Sequence, residues 1–410
     1  MLKHAKVAAF SLVAVLALSG CETNEEELET SVAELKPLNT ETEVDVEWRS
    51  SVGSGIGKFY SNLSPVVVGD VIYAASREGK VMAFNKDDGD KIWQSDIREN
   101  PPKLWTYIMM EPVKSAKLSG GLTAAYNNLY MGTEDGYVVA LSQETGEVLW
   151  RTEVKGEVVS APAAGDGWIA VSTTSGHVAA LHPDSGEIRW QLETDVPALS
   201  LRGTSSPTIA NGGVLVGTAT GKLSVILLDK GVPAWEQPIA TIKGSTELER
   251  LVDADSKVLV VGTTVYAIAY NGNLVALDMM SGRALWKREY SSYRNVSAEL
   301  NTLYLTDAKG SVTSVDLANG IEKWTNSELY NRHLTEPVVY KNTIVVGDFE
   351  GYFHFIDKET GRIIARYRHF NGWLTNAEGG QAQPVVADDK LYVLTRDGVL
   401  TAITLPEIND

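Results

Sequence analysis

Residues 65–93 read PVVVGDVIYAASREGKVMAFNKDDGDKIW. Short apolar stretches alternate with Gly-Asp, Arg-Glu-Gly and Lys-Asp-Asp-Gly turns, which is the punctuation of strands joined by hairpins. The spacing predicts an inner strand at 65–68, a second at 71–76, a third around Val81 and Ala83, and an outer strand carrying Ile92 and Trp93. A four-stranded unit of this kind cannot bury both faces alone and needs neighbours like itself.

The neighbours are in the same chain. Gly79, Gly89 and Trp93 are ten and four residues apart, and the spacing returns at Gly136-Gly146-Trp150, Gly176-Gly186-Trp190, Gly221-Gly231-Trp235, Gly272-Gly282-Trp286 and Gly310-Gly320-Trp324. Gly351 and Gly361 make a seventh copy with Ala365 in the Trp position, and Gly398 opens an eighth that runs out of chain. Intervals of 38 to 57 residues between units match a four-stranded propeller blade. The missing outer strand lies at the other end: residues 44–48, Val-Asp-Val-Glu-Trp, alternate as a strand should, and Trp48 precedes Pro65 by 17 residues as Trp190 precedes Pro207. The fold expected is therefore an all-β, eight-bladed propeller of antiparallel blades over 44–405, closed by its N-terminal strand, with a tail at 406–410.

Residues 1–20 read as an address. Lys3 and Lys6 precede an apolar run at 7–18 that would span about 18 Å as a helix, short of a ~30 Å hydrocarbon core. A secretory signal peptide is expected. It ends Leu18-Ser19-Gly20-Cys21, and this is the chain's single cysteine. With one Cys, neither an internal disulfide nor a Cys-rich zinc site can form. Residues 22–43 carry eight Glu and no aromatic residue, and are expected to form a flexible acidic tether.

Composition narrows the function. A net charge of −17 argues against nucleic acid as a partner, because phosphate binding needs clustered cations. No nucleophile elbow, phosphate-cradling loop or zinc-protease motif is present. Residues 53–57, Gly-Ser-Gly-Ile-Gly, lack dinucleotide-fingerprint spacing and read as a flexible loop. His177, His182, His333, His354 and His369 are scattered and read as surface or satisfied histidines. Asp87, Asp88 and Asp90 lack the bidentate Glu of a calcium loop and read as a plain turn. No catalytic residue, cofactor or metal is expected.

Departures from a rigid repeat are where propellers carry function. Long connections occur at 100–117, 194–202 and 244–255, and a fourth holds Phe370 to Trp373. Leu199, Leu201 and Arg202 combine an apolar pair with a forked cation, and Asp253 and Asp255 sit on the next comparable connection. The combination suits a protein interface on one face of the ring. The residues leave a second reading open, in which the leucines cover inner strands and Arg202 pairs internally.

Three features carry a family resemblance. Leu18–Cys21 is similar to the lipobox of bacterial lipoproteins, and the form Ala-Leu-x-x-x-Thr-Gly-Glu-x-Leu-Trp at 140–150 resembles quinoprotein-type propellers. With Leu199-Ser-Leu-Arg-Gly203, Gly244-Ser-Thr-Glu247, Ala269-Tyr-Asn-Gly-Asn-Leu274 and Val346-Gly-Asp-x-Glu-Gly351, the whole chain resembles the propeller lipoproteins of the bacterial β-barrel assembly machine. The resemblance implies acylation at Cys21 and an outer-membrane location facing the periplasm. It implies a non-enzymatic scaffold that binds the periplasmic POTRA domains of the central barrel-inserting subunit, through positions matching Leu199, Leu201, Arg202, Asp253 and Asp255. Direct contact with nascent outer-membrane proteins is a further implication. The alternatives are a quinoprotein-type dehydrogenase, whose usual vicinal Cys pair this chain lacks, and an envelope scaffold with another partner.

Overall fold

A computed structural model describes residues 31–38, 43–59, 61, 63–99, 114–197, 199, 204–240, 245–246, 251–368 and 382–406. The described residues hold 32 strands and no helix. No helix of theirs is long and apolar enough to cross a membrane. The strands form eight four-stranded antiparallel sheets. Seven sheets are contiguous in sequence: blade 1 spans 66–96, blade 2 118–153, blade 3 163–193, blade 4 208–238, blade 5 259–288, blade 6 297–326 and blade 7 338–368. Blade 8 takes three strands from 385–404 and its outer strand from Asp45–Ser51. That outer strand pairs with Val399–Thr404 in a register that sets Trp48 opposite Ala402. The N-terminal strand therefore closes the ring, as the 17-residue spacing implied.

What holds each blade to the next is one repeated contact. Trp48 lies on Gly89, Trp93 on Gly146, Trp150 on Gly186, Trp190 on Gly231, Trp235 on Gly282, Trp286 on Gly320 and Trp324 on Gly361. Each glycine sits in the turn between the third and fourth strands of the following blade, at φ between +66° and +74°. A Cβ there would come within 2.5–2.7 Å of the indole, so glycine is needed for both its backbone angle and its bareness. The indole N–H then donates to a carbonyl of the same turn at 2.7–3.2 Å, as Trp150 does to Pro183 O. One ring thus buries apolar area and satisfies its single donor in the neighbouring blade.

The blade 7 to blade 8 joint is different, and its difference explains Ala365. In blade 8 the turn that would receive a Trp is replaced by the two ends of the domain, near Val44 and Leu405. The blade swaps its large and small residues accordingly. In most other blades a small residue on the third strand faces the Trp, as Ala83 faces Trp93 and Ala140 faces Trp150, and Val225 opposite Trp235 is the bulkiest. In blade 7 Phe355 faces Ala365. Tyr340 and Lys341 then tie down the chain end: Leu405 N–H donates to Tyr340 Oη at 3.1 Å, and Lys341 Nζ donates to Leu405 O at 2.8 Å.

Two expectations of free chain are not met. The glycine-rich stretch 53–57 is wedged between blades 8 and 1. Ile56 N–H donates to Arg396 O at 2.9 Å, and a Cβ on Gly55 would lie 2.2 Å from that same oxygen. Its glycines permit close backbone approach rather than looseness. Within the acidic stretch, residues 31–38 are laid against blades 6 and 7, with Leu35 and Leu38 packed on the core there. Charge count alone concealed these two apolar anchors. The rest of the acidic stretch and the signal segment, up to residue 30, lies outside the described residues, as does 39–42.

Trp150→Ala should lower the unfolding free energy in urea by about 3–5 kcal/mol. Ala365→Trp, which restores the repeat's letter, should instead destabilise by about 1–3 kcal/mol, because Phe355 already fills the space. Deleting residues 44–48 should lower the melting temperature by unzipping blade 8.

Candidate functional site

All the inner strands of a propeller run the same way along its axis. With four antiparallel strands per blade, every connection from an outer strand to the next inner strand emerges on one face, together with the turns between second and third strands. The connections at 194–207 and 239–258 leave blades 3 and 4 in succession, so they are neighbours on that face. Their roots are joined directly. Ser205 Oγ donates to Ser256 O at 3.0 Å, Ser172 Oγ donates to Ser205 O at 2.5 Å, and Ser256 Oγ donates to Ile268 O at 2.8 Å. All three serines are buried. This relay of hydroxyls runs from blade 3 to blade 5 and fixes the root of one loop against the root of the other.

The second loop is pinned along its return. Tyr270 N–H donates to Asp253 O at 2.7 Å, Asn271 Nδ2 donates to Leu251 O at 2.9 Å, and Ala254 N–H donates to Thr218 O at 3.3 Å. A Cβ on Gly217 would meet Ala254 O at 1.8 Å, so a bare residue in blade 4 lets the strand lie this close.

Of the residues singled out in the sequence, Leu199 is 49% exposed, which does not fit a residue covering inner strands. Val196, not anticipated, is exposed beside it on the same loop at 41%. Leu201 and Arg202 lie outside the described residues, as does Cys21. Asp253 is fully buried, so its carboxylate faces the protein rather than the surface. Asp255 is half-buried and lines two spaces at once. One is a small cleft with Val196, Thr204 and His177, at the root of the first loop. The other is the polar central channel, about 330 Å³, with Lys257, Tyr293, Asn295 and Glu336. Burial pushes the Asp255 carboxyl up to about 6, against the pull of its hydrogen bond with Asp253. The bulk of the protein around the channel mouth likewise pushes the Lys257 ammonium down.

The remaining sequence candidates resolve simply. Asp87 and Asp90 are held by turn hydrogen bonds, their N–H groups donating to Asn85 and Asp88 side chains. His354 is buried between Asp348 and Arg366. His369 and the residues of the 100–113 connection and the 370–373 segment lie outside the described residues. Among the described residues no cluster of three or more His, Cys, Asp or Glu could hold a metal ion.

Known proteins agree with this architecture. Residues 102–326 match the family model described as outer membrane protein assembly factor BamB. Residues 30–159 match a model described as the β-propeller domain of glucose, ethanol and alcohol dehydrogenases. Outer membrane protein assembly factor BamB of Escherichia coli is 43% identical over 394 residues, 96% of this chain and 97% of that one. The Shewanella oneidensis protein of the same name is 41% identical over 389 residues, 95% and 96% of the two chains. The crystal structure of BamB from Moraxella catarrhalis superposes with a TM-score of 0.75 at 26% identity, covering 88% of this chain and all of that one.

The Asp255 carboxyl gives a pH test. Folded, it keeps its proton to about pH 6, while a free carboxyl releases it near 3.8, so the folded state binds more protons between about pH 4 and 6. Stability contributed by this group is present below that window and is lost as pH rises through it. Asp255→Asn should be flatter than wild type in urea stability between pH 4 and 6.5; an unchanged slope would mean the carboxyl is not so buried.

Proposed function

The chain belongs to the family of outer membrane protein assembly factor BamB, and from that membership we propose that it works as a non-enzymatic scaffold of the β-barrel assembly machine, docking the periplasmic POTRA domains of the central barrel-inserting subunit. The docking face is the one that carries the 194–207 and 239–258 loops. Leu199, Leu201 and Arg202 supply an apolar centre with a planar cation, and Asp255 supplies the facing carboxylate. Asp253, turned inward, holds Asp255 and the loop in place rather than touching the partner.

The observation that carries this reading is the bond from Ser205 to Ser256, which joins the roots of two loops from different blades. Joined roots of this kind spare a partner part of the entropy of bringing the two loops together. Two exposed aliphatic side chains, Val196 and Leu199, on a loop whose Val196 shares a small cleft with Asp255, match the anatomy of a protein interface. The dehydrogenase alternative is less supported: full-length relatives carry the name of an assembly factor, and one cysteine cannot form a vicinal pair.

The family is an outer-membrane one. We take the finer placement, with Cys21 acylated and the propeller in the periplasm, from the lipobox and the preceding apolar segment. Several acyl chains would anchor it stably, where one would not. Direct contact with nascent barrel strands would use the outer-strand edges at the rim, where Ile92, Leu149 and Leu285 are exposed.

A pull-down from detergent-solubilised envelopes tests the scaffold reading. Wild type should recover the barrel-assembly subunit, and Leu201→Ala with Arg202→Ala should lose it, since a buried Arg anchor is worth about 2 kcal/mol or more. Recovery unchanged by the double substitution would move the site elsewhere.

A further inference from the structure

Residues 31–38 lie along the connection between blades 6 and 7, and each polar contact there has a designated partner. Ala33 N–H donates to Tyr330 O at 2.9 Å, and Asn331 Nδ2 donates to Ser31 O at 3.0 Å. Arg332 Nη1 donates to Ala33 O at 2.9 Å, and Arg366 Nη1 donates to Lys36 O at 3.2 Å. Leu35 and Leu38 pack on the blade 6–7 core beside Trp324, Leu329 and Val339. The Lys36–Glu328 ion pair is exposed and adds little.

The two guanidiniums are not surface side chains that happen to reach the segment. Arg332 is 2% exposed. Its Nε donates to Asp348 Oδ2 at 2.7 Å and its Nη2 to Glu350. Asp348 and His354 are fully buried, and His354 Nε2–H donates to Asp348 at 3.0 Å. Arg366 Nε–H donates to His354 Nδ1 at 3.1 Å, which fixes the neutral Nε2–H form of the ring. Asp348 therefore orients both arginines, one directly and one through His354. This frame aims the Nη1 of each arginine at a backbone carbonyl of 31–38.

We propose that residues 31–38 are a strap and that the blade 6–7 groove is its built receptor, coupling the lipid anchor to the loop-bearing face of the propeller. The inference rests on the reading of Cys21 as the acylated residue. Tyr330 to Arg332 belong to an outer-to-inner connection, so the strap meets the same face as the 194–207 and 239–258 loops. Ten residues, 21–30, precede the strap and can span at most about 35 Å, whereas the 23-residue stretch 21–43 could span roughly 80 Å. The strap shortens the leash by more than half and turns the partner-docking face towards the bilayer.

The test has two arms. In soluble Cys21→Ser protein, hydrogen exchange should show the Ala33 amide at least tenfold slower than in a free peptide of the same residues. Leu35→Ser with Leu38→Ser should release it while leaving the blade 7 strands protected. Free-chain exchange of Ala33 in the otherwise wild-type protein overturns the strap whatever the anchor is. In the second arm, acylated full-length protein sits in nanodiscs of phosphatidylethanolamine and phosphatidylglycerol containing a gadolinium-chelate lipid. Spin labels at Lys309→Cys, on the loop face, and at Glu359→Cys, on the opposite face, report proximity. Relaxation enhancement should be greater at position 309, and the difference should vanish in the double Ser variant. Equal enhancement at the two positions overturns the orientation. A protected strap in a wild-type protein that does not enter nanodiscs would instead sink the acylation reading.

Discussion

Everything in this molecule depends on an indole lying flat on a glycine. Seven times around the ring, a Trp from one outer strand covers the backbone of the next blade's last turn and donates its N–H into that turn. The glycine has to be bare because its Cβ would occupy the plane of the ring. The spacing of ten and four residues is the linear trace of this contact: four residues separate the turn glycine from the Trp that docks on the following blade. The joint that lacks the Trp is the joint where the receiving turn is the chain's own break. Phe355 and Ala365 exchange sizes there, so the core volume is kept while the docking contact is given up.

The loops inherit their placement from that ring. An even number of strands per blade sends every inter-blade connection to one face. The buried serines 172, 205 and 256 then lock adjacent connections together without help from side chains at the loop tips. Sequence can vary at the tips while their roots stay registered. The same face receives residues 31–38, so with Cys21 acylated, as proposed, attachment and docking would be geometrically linked rather than independent properties of the chain.

The fold was legible in the sequence because its determinants are local and repeated. Glycines, turn residues and Trp recur at fixed offsets, and even the strand borrowed from the N-terminus announces itself through the 17 residues between Trp48 and Pro65. The site was legible only in outline. Leu199 and Asp255 were identifiable as departures from the repeat, and they do sit on neighbouring loops. That Asp253 points inward could not be read, because the path of its loop depends on Gly217, distant in sequence on blade 4, yielding room to Ala254. Residues 31–38 were hidden for a related reason. The glutamates of the surrounding stretch 22–43 dominate its composition, while the groove that holds 31–38 is assembled from Arg332, Asp348, His354 and Arg366, none of them nearby in sequence.

The account's central claim is that one face of the ring meets the barrel-inserting subunit. A photo-crosslinking amino acid placed at Leu199 in the living envelope interrogates that face, and one at Met280, 81% exposed on a turn of the opposite face, serves as its counterpart. The account predicts an adduct with the periplasmic domains of the subunit from position 199 and none from position 280. An adduct from 280 with none from 199 would contradict it.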